Sequence, residues 1–173
     1  MAMIYIDADD FHETNHSLDV LQKIHDANGM KFNLFTVIGR CSQPFIEEVR
    51  AIPWIDMIPH GWNHDTDREC EHWDRITSLT YIGSFQAMWF TKGWKSPGWR
   101  TSQALYRALI DCGYWICDHH DNDHLRPAEL PVFHIPPEHH FHIGGSMGNR
   151  IDNHVDRLME MQGPFGFIKD LFV

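Results

Sequence analysis

The sequence has few basic residues. It contains 14 Lys and Arg against 24 Asp and Glu, which gives a formal net charge of −10, and the Lys and Arg residues form no cluster. Nucleic acids and anionic membrane surfaces are bound through patches of positive charge. The charge balance therefore argues against both as partners.

The sequence also lacks long apolar runs and paired cysteines. No segment approaches the roughly 18 apolar residues of a transmembrane helix, and the N-terminus, MAMIYIDADD, resembles no signal peptide. Because the four cysteines form no CxxC pair, we interpret them as reduced packing residues. These absences predict a protein that acts in the cytoplasm or is released on lysis.

Short apolar runs alternate with amphipathic segments along the chain. The amphipathic segments predict helices, and the apolar runs predict strands at Met3–Ala8, Phe32–Ile38, Trp54–Ile58, Gly93–Ser96, Tyr114–Asp118, Val132–Ile135, His140–Ile143 and Phe165–Ile168. Strands that alternate with helices are typical of an α/β domain with a largely parallel sheet or barrel. No repeat or linker interrupts the 173 residues, so we predict a single domain, 1–173.

Candidate functional residues lie at or just after the ends of five of these predicted strands. They are Asp9 and Asp10, His60, Pro97 and Trp99, Asp118, and His142. In parallel α/β folds the carboxyl ends of the strands lie on one face, where functional residues collect. The sequence therefore predicts one site built from several strand ends.

The strongest candidate within this site is a metal centre formed by Asp10, His60 and His64. Two histidines four positions apart can bind one ion from a helical turn or tight loop, and Gly61 permits such a loop after the strand. Adjacent carboxylates such as Asp9 and Asp10 repel each other unless a cation lies near. Taken alone, the acidic pair is equally compatible with a solvated turn.

One Asp and two His would leave a coordination position open, which is the pattern of catalytic zinc sites. Such an ion lowers the pKa of water from about 15.7 to about 7, and Asp9 would then act as general base. This combination suits hydrolysis of an amide or ester. Zinc suits these ligands best, and nickel, cobalt and iron also accept them.

The second half of the chain offers further candidates. Pro97 and Trp99 would form a turn and an apolar or sugar-stacking wall, or simply pack. If residues 140–143 are extended, His140 and His142 share one face, and one of them would be a general acid. Asp118 would orient that histidine. A surface histidine pair is the alternative interpretation.

In order and spacing these residues resemble the polysaccharide deacetylases, the carbohydrate esterases of the chitooligosaccharide-deacetylase homology group. Asp9-Asp10 matches the family's Asp-Asp motif, and residues 60–64 match His-Ser/Thr-x-x-His with Gly61 replacing Ser/Thr. Residues 95–99 are similar to Arg-x-Pro-Tyr/Trp but begin with Lys95. Asp118-His119-His120-Asp121 weakly matches Asp-x-x-Asp-Trp, and Phe141-His142-Ile143 weakly matches Leu-His-Asp.

The resemblance implies an irregular (β/α) barrel of about seven mostly parallel strands and metal-dependent removal of acetyl groups from an N- or O-acetylated carbohydrate. It implies that Asp9 is the base, that Asp10, His60 and His64 hold the ion, and that Lys95 replaces the Arg that binds the base. A lysine is expected not to clamp a carboxylate at two points as Arg does. His142 would be the general acid, and Pro97, Trp99, Asp118 and His140 would contact substrate.

Other functions remain compatible with this sequence. A different metal-dependent amidohydrolase would cleave a small non-sugar amide on the same scaffold. A non-catalytic carbohydrate-binding protein would bind sugar without releasing acetate. A metal store would use the 14 histidines to bind several ions per chain.

Overall fold

A computed structural model of the chain describes residues 2–133, 137–145 and 149–173. Its strands are β1 (Tyr5–Phe11), β2 (Phe32–Thr36), β3 (Ile55–Pro59), β4 (Gly93–Lys95), β5 (Trp115–Cys117) and β6 (His140–Ile143). Its α-helices are α1 (Leu18–Asn28), α2 (Gln43–Arg50), α3 (Arg75–Ala87), α4 (Gln103–Asp111) and α5 (Val155–Glu160).

The strands form a parallel, barrel-like arrangement. Strands β3-β2-β1-β6 make a four-stranded sheet, β4-β5 make a second sheet, and every pair is parallel. The second sheet follows β3, because Thr91 N donates to Met57 O at 3.2 Å. This confirms the predicted α/β fold with mostly parallel strands, although strand pairing within the described residues does not close the barrel.

Two predicted strands are reduced to single bridges. Val132 bridges Ile116, and Phe165 bridges Ile4, both in parallel. The rest of the predicted strand Val132–Ile135 falls partly on residues 134–136, which lie outside the described residues. In the described residues, these two segments therefore add single bridges to the strands rather than strands of their own.

The core lies on both sides of the main sheet. Strands β2 and β3 are buried at every position, as expected when both faces of a parallel sheet are covered. Helix α1 packs Leu21 and Ile24 inward and ends at Gly29, whose φ of +74° closes the helix. Helix α4 begins at Ser102, whose hydroxyl accepts a hydrogen bond from Leu105 N.

The described part of the chain holds no disulfide bond. All four cysteines lie in it and are free, with Cys70 and Cys117 buried. Burial raises the pKa of the Cys70 thiol, so the thiol stays protonated and packs as a small apolar group. No helix in residues 2–133, 137–145 and 149–173 is both long and apolar enough to cross a bilayer.

Candidate metal centre

The end of strand β1 separates two adjacent carboxylates. The pairing of β1 with β2 is irregular between Ala8 and Phe11, and Asp10 has a φ of +55°. Few residues other than Gly adopt this conformation, and Asp is among those that tolerate it. As a result, Asp9 contacts Lys95, whereas Asp10 contacts a pair of histidines.

Asp10, His60 and His64 come together as the sequence predicts. Asp10 Oδ1 lies 3.3 Å from His60 Nε2 and 3.2 Å from His64 Nε2. This oxygen is buried and has no hydrogen-bond partner among the described residues. Ligand atoms held at about 2.1 Å from one ion lie about 3.0 to 3.4 Å apart. Both distances from Asp10 Oδ1 therefore fit a shared divalent metal ion, and all three ligand atoms lie within 4.8 Å of one another.

Hydrogen bonding explains how His60 is oriented. Its Nδ1 lies 3.0 Å from the Lys95 carbonyl oxygen, which can only accept, so Nδ1 carries the proton. Nε2 then faces Asp10 Oδ1 with a lone pair. Because the lone pairs of the nitrogen and the oxygen repel each other, a cation between the two atoms would stabilise this contact. A doubly protonated His60 would instead donate to Asp10, but 3.3 Å is longer than the usual 2.7–2.9 Å of such charge-assisted bonds.

The charge state of Asp10 also suits a ligand. Burial alone would raise the pKa of this carboxyl, but its interactions with His60, His64 and Lys95 outweigh that effect. The pKa falls to about 2. Asp10 is therefore an anion at neutral pH, as a metal ligand must be.

The loop between the two histidines requires glycine at its start. Gly61 has a φ of +64°, and a Cβ there would lie 2.4 Å from Glu69 Oε2 and 2.8 Å from Pro97 Cγ. The Glu69 carboxylate accepts hydrogen bonds from the backbone N–H groups of Trp62 (3.1 Å), Asn63 (2.9 Å) and His64 (3.0 Å). This close packing explains why Gly61 replaces the Ser/Thr of the resembled motif.

Asp9 is held by a buried lysine. Lys95 Nζ lies 2.6 Å from both carboxylate oxygens and 4.0 Å from the centroid of the Trp99 ring. The expectation that a lysine cannot bind both oxygens is wrong here, because one ammonium group positioned between them donates to each. Burial lowers the pKa of Lys95, but the charge of Asp9, the other nearby anionic groups and the hydrogen bond to Asp9 together raise it above the usual value, so the ion pair persists.

A second Asp and two His lie on the neighbouring strands. Strand β6 pairs with β1 so that Asp7 stands opposite His142. The Asp7 carboxylate hydrogen-bonds His140 Nε2 through one oxygen and His142 Nδ1 through the other. His140 and His142 thus share one face, as predicted from an extended segment.

Asp7 is the residue that the sequence reasoning missed. It is fully buried, and although burial raises its pKa, the two histidines lower it well below its usual range. Burial lowers the pKa of His142, but the hydrogen bond and charge of Asp7 raise it above the usual value. His142 Nε2 lies 3.6 Å from Asp9 Oδ2, which joins this group to the carboxylate beside the metal centre.

The Asp7 group also brings three donor atoms within 4.8 Å of one another, and so do His119, His120 and Asp121. The three groups differ in what their atoms already bind. Both oxygens of Asp7 are engaged by histidine nitrogens, whereas Asp10 Oδ1 has no partner among the described residues. The His119 group is largely exposed. The Asp10 group is therefore the best candidate for an ion.

The residues predicted to contact substrate have different surroundings. Trp99 is half-buried, with a φ of +61°, and its ring lies 6.5 Å from that of His142. Pro97 is buried against the Gly61 loop. His140 contacts Asp7 and packs on Phe133 with ring centroids 5.1 Å apart.

Asp118 is held by hydrogen bonds from neighbouring groups. Its carboxylate accepts hydrogen bonds from Tyr106 OH (2.7 Å), His119 N (2.9 Å) and Asn122 Nδ2 (2.7 Å). Asn122 Nδ2 also donates to the Trp99 carbonyl oxygen at 2.7 Å. Within the described residues, Asp118 makes no hydrogen bond to His142, so the expectation that it orients this histidine is corrected: Asp7 does so.

The chain matches no protein-family model and no curated protein. Its structure is similar to a family 4 carbohydrate esterase from Streptomyces lividans, solved with acetate, with a TM-score of 0.63 and 14% identity over 91% of this chain and 86% of that one. It is also similar to the Xyl-CE4 domain of a multidomain xylanase from the hindgut metagenome of Trinervitermes trinervoides, with a TM-score of 0.62 and 10% identity over 99% and 90%. The chain therefore has the fold of these two carbohydrate esterases.

Proposed function

We propose that this chain is a divergent polysaccharide deacetylase that uses one divalent metal ion to hydrolyse acetyl groups on a carbohydrate. The observation that carries the proposal is the buried Asp10 Oδ1, which lies between two histidine nitrogens without a hydrogen-bond partner among the described residues, with Asp9 held alongside by Lys95. The shared fold with two carbohydrate esterases supports the substrate class. Zinc is the expected ion, with nickel, cobalt and iron as alternatives.

Asp10, His60 and His64 would hold the ion. When bound, it supplies a Lewis acid for the acetyl carbonyl and lowers the pKa of a water molecule. Asp9 takes the proton that this water loses as it attacks the carbonyl carbon. Lys95 fixes both oxygens of Asp9 in place.

His142 returns a proton to the leaving group. Its Nδ1 is bonded to Asp7, which leaves Nε2 to donate to the sugar nitrogen or oxygen as the acetyl group departs. The separation of 3.6 Å between His142 Nε2 and Asp9 Oδ2 lets acid and base flank the same reacting group. Trp99, next to both Lys95 and His142, forms the wall against which a sugar ring would lie.

Acetate release tests the proposal directly. Protein stripped with a chelator and reloaded with zinc, cobalt or nickel would be incubated with acetylated chitooligosaccharides, acetylated xylan and small non-sugar amides. We expect acetate from a saccharide only after metal is restored. Saccharide binding without acetate release under every metal would favour the non-catalytic alternative, and cleavage of small amides alone would favour the amidohydrolase alternative.

The role of Asp7 predicts a shift in the pH profile. His142 must be protonated to act as an acid, so the rate falls as pH rises through its pKa, which Asp7 raises. In Asp7→Asn that pKa drops, so the alkaline limb of kcat/KM should move to lower pH, with a loss of about 10- to 100-fold at neutral pH. An unchanged alkaline limb would show that Asp7 does not act through His142.

A further inference from the structure

A small polar cleft adjoins the candidate metal centre. Its volume is about 120 Å³, and Asp10 and His64 form part of its wall. Arg40 and Arg150 line the same cleft. In a chain with a formal net charge of −10, two guanidinium groups beside the candidate catalytic centre concentrate positive charge where a substrate would bind.

Arg150 has unused hydrogen-bonding capacity. Among the residues that the structure describes, its Nε is buried and lacks a hydrogen-bond partner. A buried donor of this kind is costly to leave unpaired. An acceptor supplied from outside the chain would satisfy it.

Arg40 supplies a second positive charge and fixes the wall. Its Nε donates to the Asn63 carbonyl at 2.8 Å, and Nη2 donates to the His64 carbonyl at 3.0 Å. The acidic partner of Arg40 is Asp65, whose oxygen lies 3.7 Å away and whose side chain is 77% exposed. That pairing is weak, because exposed ion pairs are screened by solvent.

The rest of the lining includes neutral hydrogen-bonding groups beside Val37 and Gly145. Asn15 is 7% exposed, donates from Nδ2 to the Asp10 carbonyl at 2.7 Å, and leaves Oδ1 unpartnered among the described residues. His12 completes the polar lining. Asp10 is the acidic member of the lining, and an ion bound to it would offset its charge. The cleft therefore favours an anion that also carries hydroxyl groups.

We infer that this cleft binds a carboxylate carried by the substrate, so that the preferred substrate is an acidic acetylated saccharide. Guanidinium groups bind carboxylates through two parallel hydrogen bonds, which gives both charge and orientation. The inference rests on the proposed deacetylase function and further specifies that the preferred substrate is negatively charged. Product acetate is the other source of a carboxylate at this place, and the experiment separates the two.

Binding to the metal-loaded Asp9→Asn protein measures the preference without turnover. Calorimetry would compare an acetylated, carboxylate-bearing oligosaccharide with its carboxyl-reduced form, and acetate alone as a third ligand. We expect the acidic saccharide to bind at least about 10-fold more tightly than the reduced one, with the difference shrinking as salt rises. Arg150→Met should abolish that difference, and Arg150→Lys should restore part of it.

Arg75→Met is the matched control, because Arg75 pairs with Asp111 on the surface and its loss removes the same charge elsewhere. Equal binding of the acidic and reduced saccharides, or equal weakening of both by Arg150→Met, would overturn the inference. So would acetate binding that depends on Arg150 without any preference between the saccharides. Acetate release from neutral saccharides alone would leave the deacetylase proposal standing, whereas no release or binding with any saccharide would overturn both.

Discussion

Asp9→Asn is expected to lower acetate release by about 10²- to 10⁴-fold while the protein keeps its metal ion. Both Asp9 oxygens are bound by Lys95 Nζ at 2.6 Å, so neither belongs to the ligand set that includes Asp10. The amide of Asn cannot accept the proton that water loses. Turnover would be followed by acetate release, and metal content by elemental analysis of the same sample.

A second variant keeps this prediction independent of folding. Removing the Asp9 charge leaves Lys95 buried and unpaired, and breaking a buried ion pair costs about 3 to 5 kcal/mol. Asp9→Asn/Lys95→Met removes both charges, so it should be more stable to heating than Asp9→Asn while remaining equally inactive. Loss of metal from a folded Asp9→Asn protein would make Asp9 a ligand, and retained turnover would show that it is not the base.

His64→Ala is expected to weaken zinc binding by at least about 100-fold, because it removes one of three protein ligands and even outer groups of metal sites contribute about 10- to 100-fold. His140→Ala is the matched control, since His140 also lies against an aspartate but outside the Asp10 group. Its zinc affinity should be close to that of the parent protein. Zinc titration of chelator-treated protein by calorimetry measures both.

The reverse pattern would relocate the ion. If His140→Ala lost zinc while His64→Ala kept it, the Asp7 group would be the metal site. Two tight ions per chain in the parent protein would mean that both groups bind. Many weakly bound ions would favour the metal-store alternative.

The sequence was sufficient to predict the Asp10 group because the fold follows a simple rule. Asp10 and His60 end neighbouring regions of a parallel sheet, and such ends meet on one face. His64 follows His60 through a tight loop that Gly61 was predicted to permit, and the structure shows that a Cβ at Gly61 would clash with Glu69 and Pro97. The structure adds that the Glu69 carboxylate accepts hydrogen bonds from the backbone N–H groups of this loop. Nothing in the sequence distinguished Glu69 from the other acidic residues that follow His64.

Asp7 could have been found from strand geometry. Residues two apart on a strand face the same side, so Asp7 and Asp9 had to share a face. What the sequence lacked was the register of β6 against β1, which places His142 opposite Asp7. Such long-range pairing depends on the packing of the whole sheet.

Lys95 and Asp118 show that the sequence does not predict individual side-chain contacts. The family pattern indicated that Lys95 would lie near Asp9, but not that one ammonium group would sit between both oxygens. Asp118 ends a strand, as catalytic residues often do, yet Tyr106 and Asn122 consume its hydrogen-bonding capacity. Position along a strand predicts which residues approach a site, whereas side-chain contacts decide which of them face it.

The most direct test of the metal centre is the position of the ion itself. Anomalous scattering at the zinc absorption edge, from crystals of the zinc-loaded protein, would locate it without assuming a ligand set. The account predicts one strong peak within bonding distance of Asp10 Oδ1, His60 Nε2 and His64 Nε2. A peak instead among Asp7, His140 and His142, or none near Asp10, would contradict it.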